Sequence, residues 1–323
     1  MAFALALALP LVAHRPARAE ECKLAQLGEL TVTMRGTTPL VHAGINGSDA
    51  VFLADSGAAY STLTKSAAEQ YKLPLQNAPV YFAESGVGGE AHTMLTLVRA
   101  FTIFGRVIPN VDFVVVDQEL ERGVAGLIGQ NVFRLGDVEY DLAHGVIRIM
   151  RAEACKDTSL AYWAAAESKA FSVIDIDTPT RFKPKTTGVA YVNGIQIRVV
   201  FDTGAARSVL TLDAAKRAGV TPESAGVVYA GDSRGIGSGT AKNWIAPVAS
   251  FKIGDEEIRN THLRIGTEKI PDDMLLGADF FLSHHVYVAT GRRKLYFTYN
   301  GGPVFDLQTA SLPKPAVASP AVH

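Results

Sequence analysis

The chain has 323 residues, of which 48% are hydrophobic and 20% are charged, and its formal net charge is −1. This length suits one large domain or two of ordinary size. The balanced charge, without a basic stripe, argues against nucleic acid as a partner. With 29 glycines, 15 prolines and many short runs of Val, Ile and Thr, the composition favours a turn-rich β protein.

Residues 1–19 are predicted to be an export signal. An apolar run that begins at Phe3 is too short to span a bilayer and leads to Ala17-Arg18-Ala19, a small-x-small cleavage site before Glu20. No basic residue precedes the run, which suggests a misplaced start or a truncated n-region, and a disordered apolar tail is the alternative. We expect a periplasmic or secreted protein without a membrane segment after the signal is removed.

The two cysteines, Cys22 and Cys155, are expected to form a disulfide, because an isolated pair in an oxidising compartment is more often bonded than free. This bond would tie the mature N terminus to the end of the first half of the chain. Two distant cysteines do not make a zinc site by themselves, and the histidines lack ligand spacing, with His284-His285 expected to be a loop pair. No metal or other cofactor is therefore expected.

A sequence repeat organises the chain and is clearest around two aspartates. VFLADSGAAYSTLT (residues 51–64) contains Asp55, and VVFDTGAARSVLT (199–211) contains Asp202. An Asn-Gly pair, typical of a tight hairpin turn, lies nine residues before each aspartate. Each aspartate is therefore predicted to follow the second strand of a hairpin. The residues predicted to cap a short helix after each aspartate are Thr64 and Thr211.

Further landmarks recur in register. They are the glycine-rich segments 84–91 and 232–240, the segments GLIGQNVF (126–133) and MLLGADFF (274–281), and the closing hairpin-like runs 138–150 and 286–297. The chain therefore consists of two copies of one β-rich unit, residues 28–151 and 170–299, joined by a connector (152–169) with a short helix. Residues 300–323, rich in Pro and Ala, are predicted to be a disordered tail.

One aspartate at a strand end in each copy suggests a shared site. If the copies pack about a pseudo-twofold axis, Asp55 and Asp202 become neighbours. Two carboxylates at ~3 Å cannot both ionise, so they share one proton. One is then a general base towards a water molecule and the other a general acid towards a carbonyl oxygen. This arrangement hydrolyses an amide without a metal, a nucleophilic side chain or a cofactor.

The neighbouring residues suit this chemistry. Ser56 and Thr203 place a hydroxyl beside each carboxylate, able to hydrogen-bond across the axis. Gly57 and Gly204 remove side chains where two backbones must approach closely. The glycine-rich segments are expected to be mobile hairpin tips that fold over a bound peptide. The candidate substrate-binding residues in these tips are Gly88, Gly89, Gly235 and Gly237.

Asp-Ser-Gly-Ala and Asp-Thr-Gly-Ala, each followed by an apolar-apolar-Gly triplet (127–129 and 275–277), resemble the aspartic proteases, specifically the retropepsin-like branch found in bacteria. The resemblance covers both repeats and nearly all of the mature chain. It implies an all-β fold of two tandem, retropepsin-like β-barrel lobes related by a pseudo-twofold axis, with a short helix after each aspartate loop. The active site would form where the lobes meet, with the triplets packed under the aspartate loops.

The sequence departs from the family pattern in two places. Retroviral members usually have Arg after the triplet, where this chain has Gln130 and Ala278, so retroviral-style docking of the lobes is in doubt. Neither glycine-rich tip contains the Tyr typical of the pepsin flap, although Tyr81 and Tyr229 lie nearby. Closure over the substrate is therefore expected to differ.

The preferred interpretation is an exported aspartic endopeptidase, a monomer with an Asp55/Asp202 dyad and a polypeptide substrate. The second interpretation is a homodimer in which each copy pairs with its twin from another chain, giving separate aspartate pairs. The third is a peptide- or envelope-binding module that kept the fold and lost turnover. Intact carboxylates, hydroxyls and motif glycines in both repeats argue against the third.

Overall fold

The structure, a computed structural model, describes residues 21–77, 84–86, 89–91, 93–156, 158–180, 183–234 and 239–307. The predicted export signal lies outside the described residues. So does the tail beyond residue 307. In the described part of the chain, no helix is long and apolar enough to cross a membrane.

The elements follow the repeat. The strands of the first half are β1 (Lys23–Arg35), β2 (Thr38–Ile45), β3 (Ser48–Ala54), β4 (Thr62–Thr64), β5 (Gln76–Asn77), β6 (Glu84–Gly86), β7 (Gly89–Ala91), β8 (Thr93–Ile103), β9 (Arg106–Val116), β10 (Gly126–Ile128), β11 (Asp137–Asp141) and β12 (Val146–Glu153). Those of the second half are β13 (Ser172–Asp175), β14 (Thr187–Val192), β15 (Ile195–Phe201), β16 (Val209–Thr211), β17 (Val228–Arg234), β18 (Thr240–Ile253), β19 (Glu256–Gly266), β20 (Met274–Leu276), β21 (His284–Ala289) and β22 (Lys294–Tyr299). The short helices are α1 (Lys65–Gln70), α2 (Gln130–Phe133), α3 (Tyr162–Glu167), α4 (Leu212–Arg217) and α5 (Ala278–Ser283).

Each half closes into a six-stranded β-barrel, and the strand order is the same in both. In the first lobe the order is β2-β3-β10-β4-β9-β8, and β8 pairs back with β2. In the second lobe it is β14-β15-β20-β16-β19-β18, and β18 pairs back with β14. Closure leaves no free edge in the barrels. The predicted fold of two tandem β-barrel lobes is confirmed.

A shared sheet joins the lobes. Its strand order is β13-β22-β21-β11-β12-β1, so three strands from each half lie side by side. At its centre β11 pairs antiparallel with β21, with Val138 opposite Val288. Buried aromatic rings pack across the same boundary, where Tyr140 lies 5.1 Å from Phe281 between ring centroids. Backbone hydrogen bonds and core packing therefore hold the two halves in a fixed relation.

The predicted hairpin turns and helix caps are confirmed. Asn46 and Gly47 both have positive φ, 50° and 87°, as a tight type I′ turn requires, and Asn193 and Gly194 repeat this at 51° and 77°. Each predicted cap accepts a hydrogen bond from a backbone N–H in the first helical turn. The two donors are Ala67 N to Thr64 Oγ1 (3.1 Å) and Ala214 N to Thr211 Oγ1 (3.3 Å).

The predicted disulfide between Cys22 and Cys155 is confirmed. It lies beside helix α3 of the connector, in a small cluster of buried apolar residues. Within this cluster Trp163 donates its indole N–H to Thr298 Oγ1 (2.9 Å) and stacks on His285 with ring centroids 3.9 Å apart. Trp163 is therefore a packing residue of the junction between the lobes.

The expectation that His284-His285 is a loop pair is wrong. Both residues are buried at the start of β21. The imidazole of His285 lies 2.7 Å from Glu139 Oε1 of the other lobe, and that of His284 lies 3.0 Å from Glu256 Oε2. Each histidine contacts an acidic side chain from a distant strand. This contact offsets the free-energy cost of burying a polar imidazole.

The predicted disordered tail begins too early. Residues 300–307 are described, and Phe305 is buried with its ring edge-on to Phe251 at 5.1 Å. Asp306 forms an ion pair with Arg207 of the second lobe (2.8 Å). An aromatic side chain and a paired carboxylate thus attach this segment to the second barrel, whereas Pro/Ala composition dominates only farther along.

Candidate active site

Each aspartate lies at the end of a central parallel strand pair. Strand β3 runs parallel to β10, and Asp55 N donates to Ile128 O (2.9 Å). Strand β15 runs parallel to β20, and Asp202 N donates to Leu276 O (2.8 Å). Both aspartate loops therefore rest on the apolar-apolar-Gly triplets, in the way the repeat predicted.

The glycine that ends each triplet is required by close packing. A Cβ on Gly129 would lie 2.7 Å from the carbonyl of Tyr60, and a Cβ on Gly277 would lie 2.7 Å from the carbonyl of Ala205. In both lobes these neighbouring atoms belong to the backbone of the aspartate loop, which cannot move aside to make room for a side chain. The glycines therefore let the triplet approach the loop that it supports.

The two loops are joined by four reciprocal hydrogen bonds between the lobes. Ser56 N donates to Thr203 Oγ1 (2.9 Å), which donates to Ala54 O (2.7 Å). In the other direction Thr203 N donates to Ser56 Oγ (2.9 Å), which donates to Phe201 O (2.8 Å). Both hydroxyls are buried and use their one proton and one acceptor site in this exchange. The side chains predicted to bond across the axis do so.

The two carboxyls lie against each other across the axis. A Cβ on Gly57 would lie 2.2 Å from the Asp202 carboxyl carbon, and a Cβ on Gly204 would lie 2.3 Å from that of Asp55. Each carboxyl thus covers the glycine of the opposite loop, and the Asp55 and Asp202 side chains are hydrogen-bond partners. Only a residue without a Cβ fits at these two places.

Backbone donors orient each carboxyl. Asp55 Oδ1 accepts from Gly57 N (2.8 Å) and Ala58 N (2.9 Å). Asp202 Oδ1 accepts from Gly204 N (2.9 Å) and Ala205 N (3.1 Å). These paired bonds leave the second oxygen of each carboxyl for the partner carboxyl or for a molecule in the cleft.

Burial raises the pKa of Asp55 well above its ordinary value, because an ionised carboxylate loses its hydration there. The neighbouring Asp202 carboxylate raises the pKa of Asp55 further by repulsion. Lys185, which lies in the same cleft, acts in the opposite direction and lowers it. The net effect favours a proton on Asp55.

Two residues that support the first loop were not predicted from the sequence. Gln130 donates from its side-chain amide to Ser56 O (2.6 Å), at the position where retroviral relatives usually carry Arg. Tyr140 is buried under the loop, and its hydroxyl is a hydrogen-bond partner of the Ser56 side chain. Burial raises the pKa of Tyr140, so the hydroxyl keeps its proton. The position of Gln130 directly after the triplet could have indicated its supporting role. No sequence pattern indicated that Tyr140 would lie under the loop.

Ser61 and Ser208 anchor the triplets to the loops. Ser61 Oγ donates to Asn131 Oδ1 (2.8 Å) and accepts from Gly129 N (3.0 Å). Ser208 Oγ repeats the pattern with Asp279 Oδ1 (2.7 Å) and Gly277 N (2.9 Å). Each serine therefore bridges two segments of the site.

The aspartates open into a cleft between the lobes with a volume of about 1280 Å³. Residues of both lobes line it, among them the loop after β9, the segment before β14, and strands β17 and β18. Of the predicted tip glycines, Gly89 is the first residue of β7. Gly88, Gly235 and Gly237 lie outside the described residues, so their proposed contact with substrate stays a prediction.

The sequence of each lobe matches a known protein family. The family model described as aspartyl protease matches residues 41–132 and 189–280, one match in each lobe and more than half of the chain in total. The chain belongs to the aspartyl protease family. The resemblance inferred from the motifs is thereby confirmed, and family and fold support a protease function with a polypeptide substrate.

This aspartyl protease family member is also similar to solved structures. EIAV protease in complex with an inhibitor shares 24% identity, covering 30% of this chain and 86% of that chain, with a TM-score of 0.26. Basic 7S globulin from soybean shares 9% identity, covering 86% of this chain and 95% of that chain, with a TM-score of 0.43. Among curated protein sequences, none matches the chain significantly.

Proposed function

We propose that this family member is an exported aspartic endopeptidase in which Asp55 and Asp202 share one proton and activate a water molecule. The observation that carries the proposal is the mutual position of the carboxyls, each lying over the glycine of the opposite loop. At such a separation the pair keeps one proton over a wide pH range. One acid and one base are then available in the same site.

Because burial raises the pKa of Asp55, we assign the shared proton to Asp55 and the role of general base to Asp202. Asp202 accepts a proton from water while the oxygen of that water bonds to the substrate carbonyl carbon and Asp55 donates its proton to the carbonyl oxygen. In the second step Asp202 returns its proton to the amide nitrogen as the C–N bond breaks, and a hydroxyl of the intermediate reprotonates Asp55. Atoms and protons balance, and both carboxyls return to their starting state.

One dyad within a single chain is supported over a homodimer with separate pairs. The four hydrogen bonds between Ser56 and Thr203 loops are made inside one polypeptide. A second chain would have to replace all of them to form its own pair. We therefore propose that the protein is active as a monomer.

Export to the periplasm or the exterior of the cell is part of the proposal. The Cys22–Cys155 disulfide favours an oxidising compartment. A small-x-small site ending at Ala19 is typical of a cleaved signal, and cleavage there would leave Cys22 near the mature N terminus.

The test uses residues 20–323 and a mixed peptide library between pH 3 and pH 7, with cleavage read by mass spectrometry. The variants are Asp55→Asn and Asp202→Asn. The matched control is Asp112→Asn, which makes the same change at an exposed position of β9. A statine-type inhibitor, which imitates the tetrahedral intermediate, is added in a parallel series.

Cleavage by the wild type and the control, lost in either dyad variant and blocked by the inhibitor, is the expected result. If each dyad variant keeps about half of the activity, the aspartates belong to separate sites and the homodimer is correct. If the wild type binds peptides and never cleaves them, the protein is a binding module and the endopeptidase proposal is wrong.

A further inference from the structure

A buried acid, Glu268, lies in the wall of the same cleft, two residues after the end of β19. Its residue is 6% exposed. It contacts Ser233 of β17 and Asn243 of β18, the two strands of a hairpin whose tip (235–238) lies outside the described residues. Glu268 therefore connects the wall of the cleft to the base of the second glycine-rich hairpin.

The directions of the hydrogen bonds around Glu268 can be assigned. Ser233 Oγ donates to Glu268 Oε1 (2.9 Å). Asn243 Nδ2 donates to Ser233 Oγ (2.9 Å) and to Ala241 O (3.1 Å). Because both amide protons of Asn243 have acceptors, exchanging its oxygen and nitrogen would place two oxygens in contact. The Asn243 carbonyl oxygen therefore points away from these partners.

Two buried acceptors are left over. Glu268 Oε2 and Asn243 Oδ1 have no hydrogen-bond partner among the described residues. Both lie beside Gly266, where a Cβ would be 1.9 Å from Oε2 and 2.9 Å from Oδ1, and the two side chains are within hydrogen-bonding reach. An ionised Glu268 would thus turn one acceptor towards another and leave Asn243 Oδ1 without a donor, although the backbone N–H of Glu268 favours the ionised form.

A proton on Glu268 Oε2 removes this conflict. Oε2–H would donate to Asn243 Oδ1, Asn243 Nδ2 to Ser233 Oγ, and Ser233 Oγ to Glu268 Oε1. The three side chains then form a closed ring in which each is once a donor and once an acceptor. Burial raises the pKa of Glu268, which agrees with a protonated carboxyl.

The charged group that acts on Glu268 is Arg264 of β19, which favours the ionised form. Arg264 also donates from Nη2 to Asp306 O (3.5 Å) and is attracted by the Asp306 and Asp279 carboxylates. The positive charge of Arg264 therefore interacts with these two carboxylates as well as with Glu268. From β17 and β18, the groups that face Glu268 are the neutral side chains of Ser233 and Asn243.

The first lobe offers a natural comparison. Gln118 lies two residues after the end of β9, as Glu268 lies two residues after the end of β19, and both strands pair in parallel with the strand that follows the aspartate loop. A neutral amide, with one donor group and one acceptor, thus occupies the matching position. This agrees with a neutral acid in the second lobe.

We propose that Glu268 is a positioning residue that acts as a neutral acid, closing a hydrogen-bonded ring with Asn243 and Ser233 that fixes strands β17 and β18 in the wall of the cleft. Loss of the proton opens the ring and loosens the hairpin. The consequence for catalysis rests on the proposed endopeptidase function, whereas the state of the hairpin can be measured without any activity.

Three variants separate the roles of charge and of hydrogen bonding. Glu268→Gln retains the acceptor for Ser233 and supplies a permanent N–H donor for Asn243, so the ring stays closed at every pH. Glu268→Ala removes the ring. Glu257→Gln is the control, because it neutralises an exposed carboxylate on β19 that is paired with Arg259.

The measurement is hydrogen–deuterium exchange of residues 228–245, corrected for intrinsic rates, at pH 4.5 and pH 7.5. In the wild type and in Glu257→Gln, protection of the hairpin is expected to fall about tenfold between these pH values. In Glu268→Gln protection stays high at both, and in Glu268→Ala it is low at both. Equal pH dependence in the wild type and Glu268→Gln, or full protection in Glu268→Ala, would overturn the proposal.

The pH profile of kcat/KM supplies the second readout. Glu268→Gln is expected to keep its activity to higher pH than the wild type, mainly through a lower KM, and to recover what Glu268→Ala loses. If no protein in the series cleaves peptides, the endopeptidase proposal fails, while the exchange data still decide the role of Glu268. If exchange behaves as expected and the profiles do not differ, Glu268 does not position the hairpin for catalysis.

Discussion

The loop around Asp55 and the loop around Asp202 have the same hydrogen bonds to the axis and different supports behind them. In each, the aspartate N–H donates to the triplet strand, Oδ1 accepts from two backbone N–H groups, and the hydroxyl of the next residue bonds across the axis. Behind the first loop lie Gln130 and Tyr140. The residues at the matching positions of the second lobe are Ala278 and Val288, whose side chains have no polar group.

The second lobe has additional hydrogen bonds behind its aspartate loop. Asp279, which matches the exposed Asn131, is buried and also accepts from Asp306 N (2.9 Å) of the C-terminal segment. The parts that meet at the axis are therefore duplicated closely, while the parts behind them differ. Asp55 is also buried while Asp202 is partly exposed, so two similar motifs provide unequal carboxyls.

The largest effect is expected where the loops are most alike. Gly57→Ala and Gly204→Ala each place a methyl group on the opposite carboxyl, so both should lower kcat by about 100-fold or more through displacement of the dyad. Peptide cleavage rates measure this, with Gly291→Ala as the control because no atom lies within 4 Å of its Cβ position. Near-normal activity in either variant would mean that the carboxyls do not work in this arrangement.

The hydrogen bonds of Ser56 and those of Thr203 across the axis should contribute nearly equally to the free energy of unfolding. The one difference is the contact of Tyr140 with Ser56. Ser56→Ala leaves Thr203 N and Phe201 O without partners, and we expect unfolding free energy to fall by about 2–5 kcal/mol. Thr203→Ala should cost slightly less, because the Tyr140 hydroxyl contacts only the Ser56 side of the pair. Denaturant unfolding measures both, and Ser56→Thr and Thr203→Ser should restore most of the loss. Unchanged stability would show that these bonds do not hold the lobes together.

The C-terminal segment should matter to the second lobe. Truncation after residue 303 removes Phe305 from its site against Phe251 and should destabilise the protein by about 1.5–3 kcal/mol. Truncation after residue 307 keeps Phe305 and Asp306 and serves as the control. Thermal unfolding distinguishes the two. Equal midpoints would mean that the packing of residues 304–307 contributes nothing.

The smallest effect is expected from the charge of Lys185, which has no counterpart in the first lobe. Lys185 lies 17 residues before Asp202, and Thr38 lies 17 residues before Asp55. Because the lysine charge lowers the pKa of Asp55, its removal raises that pKa, and the alkaline limb of the pH–activity profile should shift to higher pH. Lys185→Thr tests this, with activity at the optimum within about threefold of the wild type. A shift to lower pH would contradict the sign.

Local patterning was sufficient to predict the axis-facing half of the site. Apolar runs that end in Asp, an Asn-Gly pair nine residues earlier and a capping threonine nine residues later define hairpin, loop and helix within a short segment. Recurrence of these segments predicted two copies of one β-rich unit and the meeting of Asp55 with Asp202, and the family resemblance implied that each copy is a barrel. The catalytic roles of these residues remain a prediction.

The amino-acid sequence therefore determined the duplicated lobes, the aspartate loops and the Cys22–Cys155 pair, because each depends on short-range patterns or on the only available partner. Tertiary structure alone decided which distant side chains meet. Tyr140 reaches Ser56, His285 reaches Glu139, Glu268 reaches Asn243 and Phe305 reaches Phe251, each from a different segment of the chain. Such contacts arise when whole sheets pack, and no local period or spacing encodes them.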